Sequence, residues 1–242
     1  MARWPATDGF SKPTRYLSTA TTSITATIAT TSHSRRESYN SASIEAITLV
    51  VNMTQPRDAT VLIADDEPEV TDAYALRLRQ KYEDVRTAYG GEEALDVTDD
   101  DIDVVLLDRR MPFSGDKVLR EIRERGYDCR VIMVTAANPD FDIVDMPFDD
   151  YLCKPIDRDD LFAAIDQQVK AAAFDNPVSE LFSLTAKLAV LEAEHTAEQL
   201  EESSEYRRMG RRAAELRDGL DVSRENFEEM LETFTDINRG RG

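Results

Sequence analysis

Val104-Val105-Leu106-Leu107-Asp108 joins four consecutive apolar residues to one carboxylate. An uninterrupted apolar run of this kind is typical of a strand that is buried on both faces of a parallel sheet. The next residues, Arg-Arg-Met-Pro at 109–112, break the apolar pattern. The sequence therefore predicts that an interior strand ends at Asp108 and that a loop follows it.

Four other short runs resemble this one, and helical patterns separate them. The predicted strands are 60–65, 84–89, 103–108, 130–135 and 150–153, and the predicted helices are 68–81, 91–98, 115–125 and 157–173. This alternation predicts an α/β fold, and a flavodoxin-like, doubly wound, five-stranded parallel sheet in the order 2-1-3-4-5 satisfies it. Residues 84–89 alternate in polarity as an edge strand does. Residues 138–149 contain two prolines and predict only a short or irregular helix.

Charged residues follow three of the predicted strands. They are Asp65 and Asp66 after the first strand, Asp108 after the third and Lys154 after the fifth. Ligands of an open parallel sheet bind beyond the carboxyl ends of its strands, so these side chains are predicted to share one pocket. Three carboxylates repel one another unless a cation lies among them, and such oxygen ligands suit Mg²⁺. The predicted metal ligands are Asp65, Asp66, Asp108 and the backbone carbonyl of Arg110.

A carboxylate in such a pocket can attack a phosphoryl group while the metal and a lysine neutralise the charge of the phosphoryl oxygens. Asp108 is the predicted nucleophile, and Lys154 supplies the second positive charge. In these residues the chain resembles the receiver domain of two-component response regulators. The matching segments are Asp65-Asp66-Glu67, residues 108–115 (Asp-Arg-Arg-Met-Pro-Phe-Ser-Gly), Thr135-Ala136 and Lys154-Pro155. The resemblance places a receiver domain at residues 58–174.

The resemblance also implies how the site works. Asp108 would accept a phosphoryl group from a phosphohistidine of a sensor histidine kinase, with Mg²⁺ as the cofactor. Thr135 would then bind a phosphoryl oxygen, Tyr151 would change its rotamer, and the peptide bond between Lys154 and Pro155 would be cis. The chain would be a phosphoacceptor in signalling and not an enzyme, with at most slow autodephosphorylation. Ser114 departs from the family, which commonly has Asp at this position.

Two apolar stripes with helical spacing follow the predicted receiver domain. They consist of Leu181, Leu184, Leu188 and Leu191, and of Tyr206, Met209, Ala213, Leu216 and Leu220. Spacings of three and four residues predict coiled-coil-like helices, and residues 202–205 (Glu-Ser-Ser-Glu) are suited to begin the second one. We therefore predict a helical hairpin. The stripes can pair within one chain or between the chains of a homodimer, and the pattern leaves both open.

Two segments within this helical region resemble the HalX domain that follows receivers in haloarchaea. They are residues 191–194 (Leu-Glu-Ala-Glu) and residues 204–208 (Ser-Glu-Tyr-Arg-Arg). The resemblance places a helical HalX-like domain at residues 175–238. A shorter third helix is predicted around residues 227–234. The high content of acidic residues, with only six Lys among 29 basic residues, also resembles proteins of salt-loving archaea.

Residues 1–52 differ in composition from the rest of the chain. They contain 18 Ser and Thr, and they carry a net positive charge, whereas the whole chain has a net charge of -19. They show no sustained hydrophobic period, so we expect a disordered extension. Because the composition changes so abruptly, we expect Met53 to be the true start. The two cysteines and the absence of a long apolar run indicate a cytoplasmic protein without a membrane span.

Two alternative functions can be weighed on the sequence. A transcription regulator could bind DNA through the C-terminal helices, where Arg207, Arg208, Arg211 and Arg212 form a basic cluster. Glutamates flank this cluster at ion-pair spacing, so a solvated, paired face is the better interpretation and DNA binding is not expected. A haloacid dehalogenase-type phosphohydrolase also forms an aspartyl phosphate. Its Asp-x-Asp motif belongs on the first strand, which here ends in Asp65-Asp66-Glu67, so this alternative is weak.

Overall fold

The computed structural model describes residues 58–136, 138–172 and 176–219. One five-stranded sheet has the order β2-β1-β3-β4-β5, and every neighbouring pair of strands is parallel. The strands are β1 (Thr60–Ala64), β2 (Asp84–Ala88), β3 (Val104–Leu107), β4 (Arg130–Thr135) and β5 (Asp150–Cys153). The predicted α/β fold and its strand order 2-1-3-4-5 are confirmed.

Four helices cover the two faces of the sheet. They are α1 (Pro68–Leu78), α2 (Gly91–Val97), α3 (Gly115–Glu124) and α4 (Arg158–Ala171). Helices α1 and α4 pack on one face, and α2 and α3 pack on the other. Local signals set two of the starts: a proline stands in the first turn of α1, and the Ser114 hydroxyl accepts a hydrogen bond from the Asp116 amide at the start of α3.

Burial follows the position of each strand in the sheet. Strands β1, β3 and β4 are buried at every residue, as their apolar sequences predict, whereas β2 is exposed at its first residue and only half-buried at two others. The alternating run 84–89 is therefore an edge strand, as predicted. Strand β5 lies at the opposite edge but is buried at all four residues. A helix from the C-terminal region covers it.

The segment between β4 and β5 contains a 3₁₀ helix, Phe141–Asp145, in place of an α-helix. The Asp140 carboxylate accepts a hydrogen bond of 2.7 Å from the Phe141 amide and so begins the helix. Pro147 follows shortly after its end and could not continue it. The prediction of a short or irregular helix here is confirmed.

Three helices follow the sheet domain: α5 (Asn176–Glu194), α6 (Ala197–Glu202) and α7 (Ser204–Gly219). Helices α5 and α7 run antiparallel, because Arg212 pairs with Glu180 at one end and Tyr206 bonds to Glu192 at the other. The predicted hairpin is confirmed within the described residues. Helix α6 was not predicted, although its signal is local: Thr196 and Gln199 form a capping box.

These C-terminal helices extend the core of the sheet domain. Their residues Val190, Leu191 and Met209 belong to the same buried cluster as Phe148 and Tyr151. The short 3₁₀ helix leaves part of this face open near β5, and α5 and α7 fill it. The expected extension at 1–52, the expected start at Met53 and the expected third helix at 227–234 lie outside the described residues. Among the residues that are described, no helix is long and apolar enough to cross a membrane.

The close approach of α3 to the end of β3 generates a testable prediction. A Cβ atom at Gly115 would lie 2.2 Å from the backbone oxygen of Asp108. Gly115→Ala should therefore lower the free energy of unfolding by about 1–3 kcal/mol, measured by urea denaturation. Gly210→Ala in α7 is the matched control, since a Cβ there meets nothing within 4 Å, and it should raise stability by roughly 0.5–1 kcal/mol. Equal effects of the two substitutions would contradict this account.

Candidate functional site

The register of the sheet brings three strand ends together. Ala64 of β1 pairs with Leu107 of β3, so Asp65 and Asp108 follow their strands at the same level. The Asp108 amide continues the ladder by donating to the Ala64 carbonyl at 2.8 Å. The Lys154 amide likewise donates to the carbonyl of Thr135 at 2.8 Å. The first turn after each of these strands therefore begins at one edge of the sheet.

Lys154 links two of the carboxylates. Its Nζ donates to Asp65 Oδ2 at 2.5 Å and to Asp108 Oδ1 at 3.0 Å. Both carboxylates are almost fully buried, with 3% of Asp65 and 6% of Asp108 exposed. The ammonium group of the residue that follows β5 thus bonds to the two carboxylates that follow β1 and β3.

Backbone amides bind the other two oxygens of these carboxylates. The Glu67 amide donates to Asp65 Oδ1 at 2.9 Å, and the Arg110 amide donates to Asp108 Oδ2 at 2.6 Å. The chain therefore turns directly after each strand, because each aspartate bonds to the amide two residues ahead of it. These bonds hold the two carboxylates in fixed orientations.

Burial and charge act in opposite directions on this cluster. Burial raises the pKa of Asp108, and the nearby negative charge of Asp65 adds to that rise, although Lys154 and the Arg110 amide oppose it. Burial alone would lower the pKa of Lys154, but its bonds to Asp65 and Asp108 outweigh burial, and the pKa is raised. Lys154 therefore stays charged, and its charge limits the rise in the pKa of Asp108.

The remaining predicted residues differ in burial and position. Asp66 is half-buried next to Asp65, and Arg110 is exposed in the loop after Asp108. Thr135 is fully buried at the end of β4. Tyr151 is fully buried in the middle of β5, beside Phe148, and burial raises its pKa to about 12. The peptide bond between Lys154 and Pro155 is cis, as the resemblance implied.

Three residues that sequence reasoning did not single out also contact or border the site. The buried Thr71 hydroxyl donates to the Asp65 carbonyl at 3.1 Å and fixes the end of β1. Tyr74 of α1 lies within electrostatic range of Lys154, and its pKa is raised by burial. Arg109 pairs with Asp116 at 3.1 Å and also with Asp142 of the 3₁₀ helix. Thr71 lies four residues after Glu67, and this helical spacing could have indicated that it lies near the end of β1. No local pattern predicts the pairing of Arg109 with Asp142.

The cluster is suited to Mg²⁺ by the chemistry of its donors. Asp65, Asp66 and Asp108 offer carboxylate oxygens, and Arg110 offers a backbone carbonyl, which are hard ligands that Mg²⁺ prefers together with water. In the described part of the chain, no three acidic, His or Cys side chains stand in a ready metal-binding group. At Asp65 and Asp108, Lys154 bonds to one oxygen of each carboxylate.

Two of the four arginines in the basic cluster of α7 pair with carboxylates. Arg208 pairs with Asp145 at 2.6 Å, and Arg212 binds both oxygens of Glu180 at 2.8 and 2.9 Å. Two of the four arginines thus join α7 to the 3₁₀ helix and to α5. The sequence predicts pairing with the flanking glutamates of the same helix, but the closest partners of Arg208 and Arg212 come from the 3₁₀ helix and from α5.

Comparison with known families identifies both parts of the chain. Residues 61–166 match the response regulator receiver domain, and residues 170–237 match the HalX domain. The chain carries a receiver domain followed by a HalX domain. Asp65, Asp108 and Lys154 lie within the receiver domain, and the helices α5, α6 and α7 lie within the HalX domain. Both resemblances inferred from the sequence are confirmed.

Individual relatives match part of the chain. A Haloferax volcanii protein named "Putative transcriptional regulator" is 46% identical over 142 residues, which cover 58% of this chain and 24% of the relative. The match thus spans about a quarter of that relative's length, and its haloarchaeal source agrees with the salt-adapted composition.

Two solved structures are also similar to part of the chain. A receiver domain protein from Clostridium thermocellum is 31% identical, with a TM-score of 0.42, over 46% of this chain and 94% of that one. The response regulator TrrA from Thermotoga maritima, in complex with Mg(2+)-BeF, is 30% identical, with a TM-score of 0.40, over 46% and 98%.

The buried charge of Asp108 generates a prediction about pH. Because the pKa of Asp108 is raised, the folded protein binds this proton more tightly than the unfolded chain does, and stability falls as pH rises from the ordinary Asp pKa of about 4. Asp108→Asn should therefore raise the free energy of unfolding at pH 7, and this gain should vanish below about pH 4. Urea denaturation across this pH range, without divalent cations, measures the effect. A gain that is equal at both pH values would contradict the prediction.

Proposed function

We propose that this response regulator is the phosphoacceptor of a two-component phosphorelay and that Asp108 accepts the phosphoryl group from a sensor histidine kinase. The observation that carries the proposal is the Asp108 carboxylate at the end of β3, bonded to Lys154 at 3.0 Å and to the Arg110 amide at 2.6 Å. A nucleophile needs such a fixed orientation, and its product needs a nearby positive charge.

The transfer has a simple balance of bonds. One oxygen of Asp108 attacks the phosphorus of a phosphohistidine, a phosphorus–oxygen bond forms, and the phosphorus–nitrogen bond breaks. The imidazole of the kinase leaves with the electron pair and takes up a proton. Lys154 neutralises charge on the phosphoryl oxygens, because it already lies between Asp65 and Asp108. The product is an acyl phosphate, and we propose that the chain acts as an acceptor and not as an enzyme.

Mg²⁺ is the proposed cofactor of this site. Asp65, Asp66, Asp108 and the Arg110 carbonyl would hold it, and when bound it supplies positive charge to the phosphoryl oxygens. The carboxylates of Asp65 and Asp66 have the further role of making the pocket selective for a cation. In its absence Lys154 is the charge that keeps Asp65 and Asp108 together.

Thr135 and Tyr151 are the proposed residues that respond to phosphorylation. Thr135 is placed beside the acceptor pocket, since its carbonyl bonds to the amide of Lys154. Its hydroxyl would bind a phosphoryl oxygen. Tyr151 lies on the neighbouring strand, packed against Phe148, and a change of its rotamer would alter the packing of that region.

Phosphate labelling tests the acceptor. The full chain is incubated with Mg²⁺ and radiolabelled acetyl phosphate, which transfers its phosphoryl group and releases acetate. The chain should gain phosphate that is stable to acid and labile to base. Asp108→Asn should abolish the label. Asp103→Asn is the matched control at the other end of β3, where the side chain accepts from the Thr60 amide at 2.8 Å, and it should label normally. Equal labelling of Asp108→Asn, or no label on the unmodified chain, would refute the proposal.

The lysine can be tested in the same assay. Lys154→Met should slow labelling by about 10²–10³, because it removes a preorganised charge at the phosphoryl oxygens. Lys81→Met is a suitable control, since Lys81 pairs with Asp166 away from the site. Labelling of Lys154→Met at the normal rate would show that the ammonium group has no part in the transfer.

For the output, we propose that the HalX helices act through protein contacts. The Haloferax volcanii relative carries the name of a transcriptional regulator, so control of transcription is the process we propose. Direct DNA binding is not favoured, because Arg208 and Arg212 are already paired with carboxylates. Retention of the full chain on duplex DNA in molar salt, lost on substitution of both Arg207 and Arg208 by Gln, would overturn this choice.

A further inference from the structure

A groove lies where α5, α7 and the 3₁₀ helix meet. It holds a cavity of about 420 Å³. Its floor is apolar and consists of Val144, Leu184 and Met209, of which Val144 and Met209 are buried. Its rim is exposed and charged, and the rim residues are Asp145, Arg208, Arg211, Arg212 and Glu215. The groove therefore combines an apolar floor with charged walls.

The rim carries an excess of positive charge in a chain whose net charge is -19. Three arginines and two carboxylates form it. Arg208 pairs with Asp145, and Arg212 pairs with Glu180 outside the rim. Within the part of the chain that the structure describes, Arg211 forms no ion pair. The rim therefore favours an acidic occupant.

The rim residues of α7 form a stripe along one face of that helix. Arg208, Arg211, Arg212 and Glu215 stand at positions i, i+3, i+4 and i+7. Such positions share one helical face, and this stripe is about 10 Å long. The groove is thus suited to a short helix that lies along α7.

The segment that follows α7 in the chain has matching features. Its apolar residues Phe227, Met230, Leu231 and Phe234 have the same spacing, so a helix would carry all four on one face over about 10 Å. Residues 225–236 contain five acidic residues and no basic residue. The apolar face complements the floor of the groove, and the negative charge complements its rim.

The connection is long enough for this segment to fold back on α7. The described part of α7 reaches Gly219, and Arg208 lies about 16 Å from that residue along the helix axis. Residues 220–226 can span up to about 23–25 Å when they are extended. A tether this short gives the segment an effective concentration on the order of millimolar, which favours it over a separate molecule as the occupant.

We infer that residues 227–234 dock in this groove as an amphipathic helix, antiparallel to α7 of the same chain. The apolar face of the segment covers Val144, Leu184 and Met209, and its acidic residues offset the charge of the arginine rim. Val144 belongs to the receiver domain and Met209 to the HalX domain. The docked segment therefore contacts both domains where they meet, and it occupies a surface that other partners could otherwise bind.

Disulfide trapping in the full chain tests the docking. Arg211→Cys is combined with Met230→Cys, so that one thiol lies in the rim and the other on the apolar face of the segment. The matched control combines Arg211→Cys with Glu229→Cys, which lies on the opposite face of the same predicted helix. Both natural cysteines are buried, and chains with a single introduced cysteine give the background. Under mild oxidation the first pair should form an intrachain disulfide about tenfold faster than the second, because a disulfide requires close approach of the two residues.

A non-reducing gel separates the possible results. A monomer that migrates faster than the reduced chain shows an intrachain disulfide and supports docking within one chain. A covalent dimer would assign the groove to the segment of a second copy. Equal rates for the two pairs, or no disulfide in either, would show that the segment has no fixed place in the groove. Each of these last results would overturn the inference.

Hydrogen exchange of the full chain gives a second measurement that needs no introduced cysteine. Leu231→Asp places a charge on the apolar face, so the amides of 208–215 should exchange about fivefold faster. Thr233→Asp adds the same charge outside that face and should leave their exchange unchanged. Exchange in β1 and β3 should stay the same in both variants, which shows that the receiver remains folded. Unchanged exchange of 208–215 in Leu231→Asp would contradict the docking.

Discussion

The site depends on the two ion pairs that the ammonium group of Lys154 forms. This group lies between Asp65 and Asp108, two buried carboxylates that would otherwise repel each other at the ends of neighbouring strands. Such a buried ion cluster is favourable only when its geometry is good and its remaining hydrogen bonds are satisfied. The amides of Glu67 and Arg110 meet that second condition. The raised pKa of Asp108 indicates that burial still outweighs these partners, so the site retains strong attraction for positive charge.

The second feature of general interest is that the receiver and HalX domains share a core. Strand β5 is an edge strand that is buried at every residue, because α5 packs against it. The element between β4 and β5 is only a five-residue 3₁₀ helix, so it cannot cover this part of the sheet alone. Residues of α5, α6 and α7 join Phe148 and Tyr151 in one buried cluster. The packing of the HalX domain is consequently part of the receiver structure.

Much of the candidate site could be predicted because its residues are marked by their neighbours in the chain. Asp65, Asp108 and Lys154 each follow an apolar run, and parallel strands place their carboxyl ends at one edge. No apolar run directly precedes Thr71, Tyr74 or Arg109, so the sequence around them does not indicate a role in the site. The partner of Arg109 in the 3₁₀ helix is 33 residues away, and nothing between them sets the geometry locally. Helix α6 differs from these residues, because a local sequence signal does indicate its start: Thr196 and Gln199 form a capping box.

The sequence by itself determined the alternation of strands and helices, the edge position of β2, the two C-terminal helices with their apolar stripes, and the charged residues at three strand ends. These features follow from hydrophobic period, helix breakers and the direction of parallel strands, which are properties of short segments. Only the tertiary structure decided that Lys154 bonds to one oxygen of Asp65 and to one oxygen of Asp108. It also decided that α5 and α7 pair with each other, that α5 packs against β5 and that α7 packs on the 3₁₀ helix. Those outcomes depend on distances between segments far apart in the chain, which packing and burial set together.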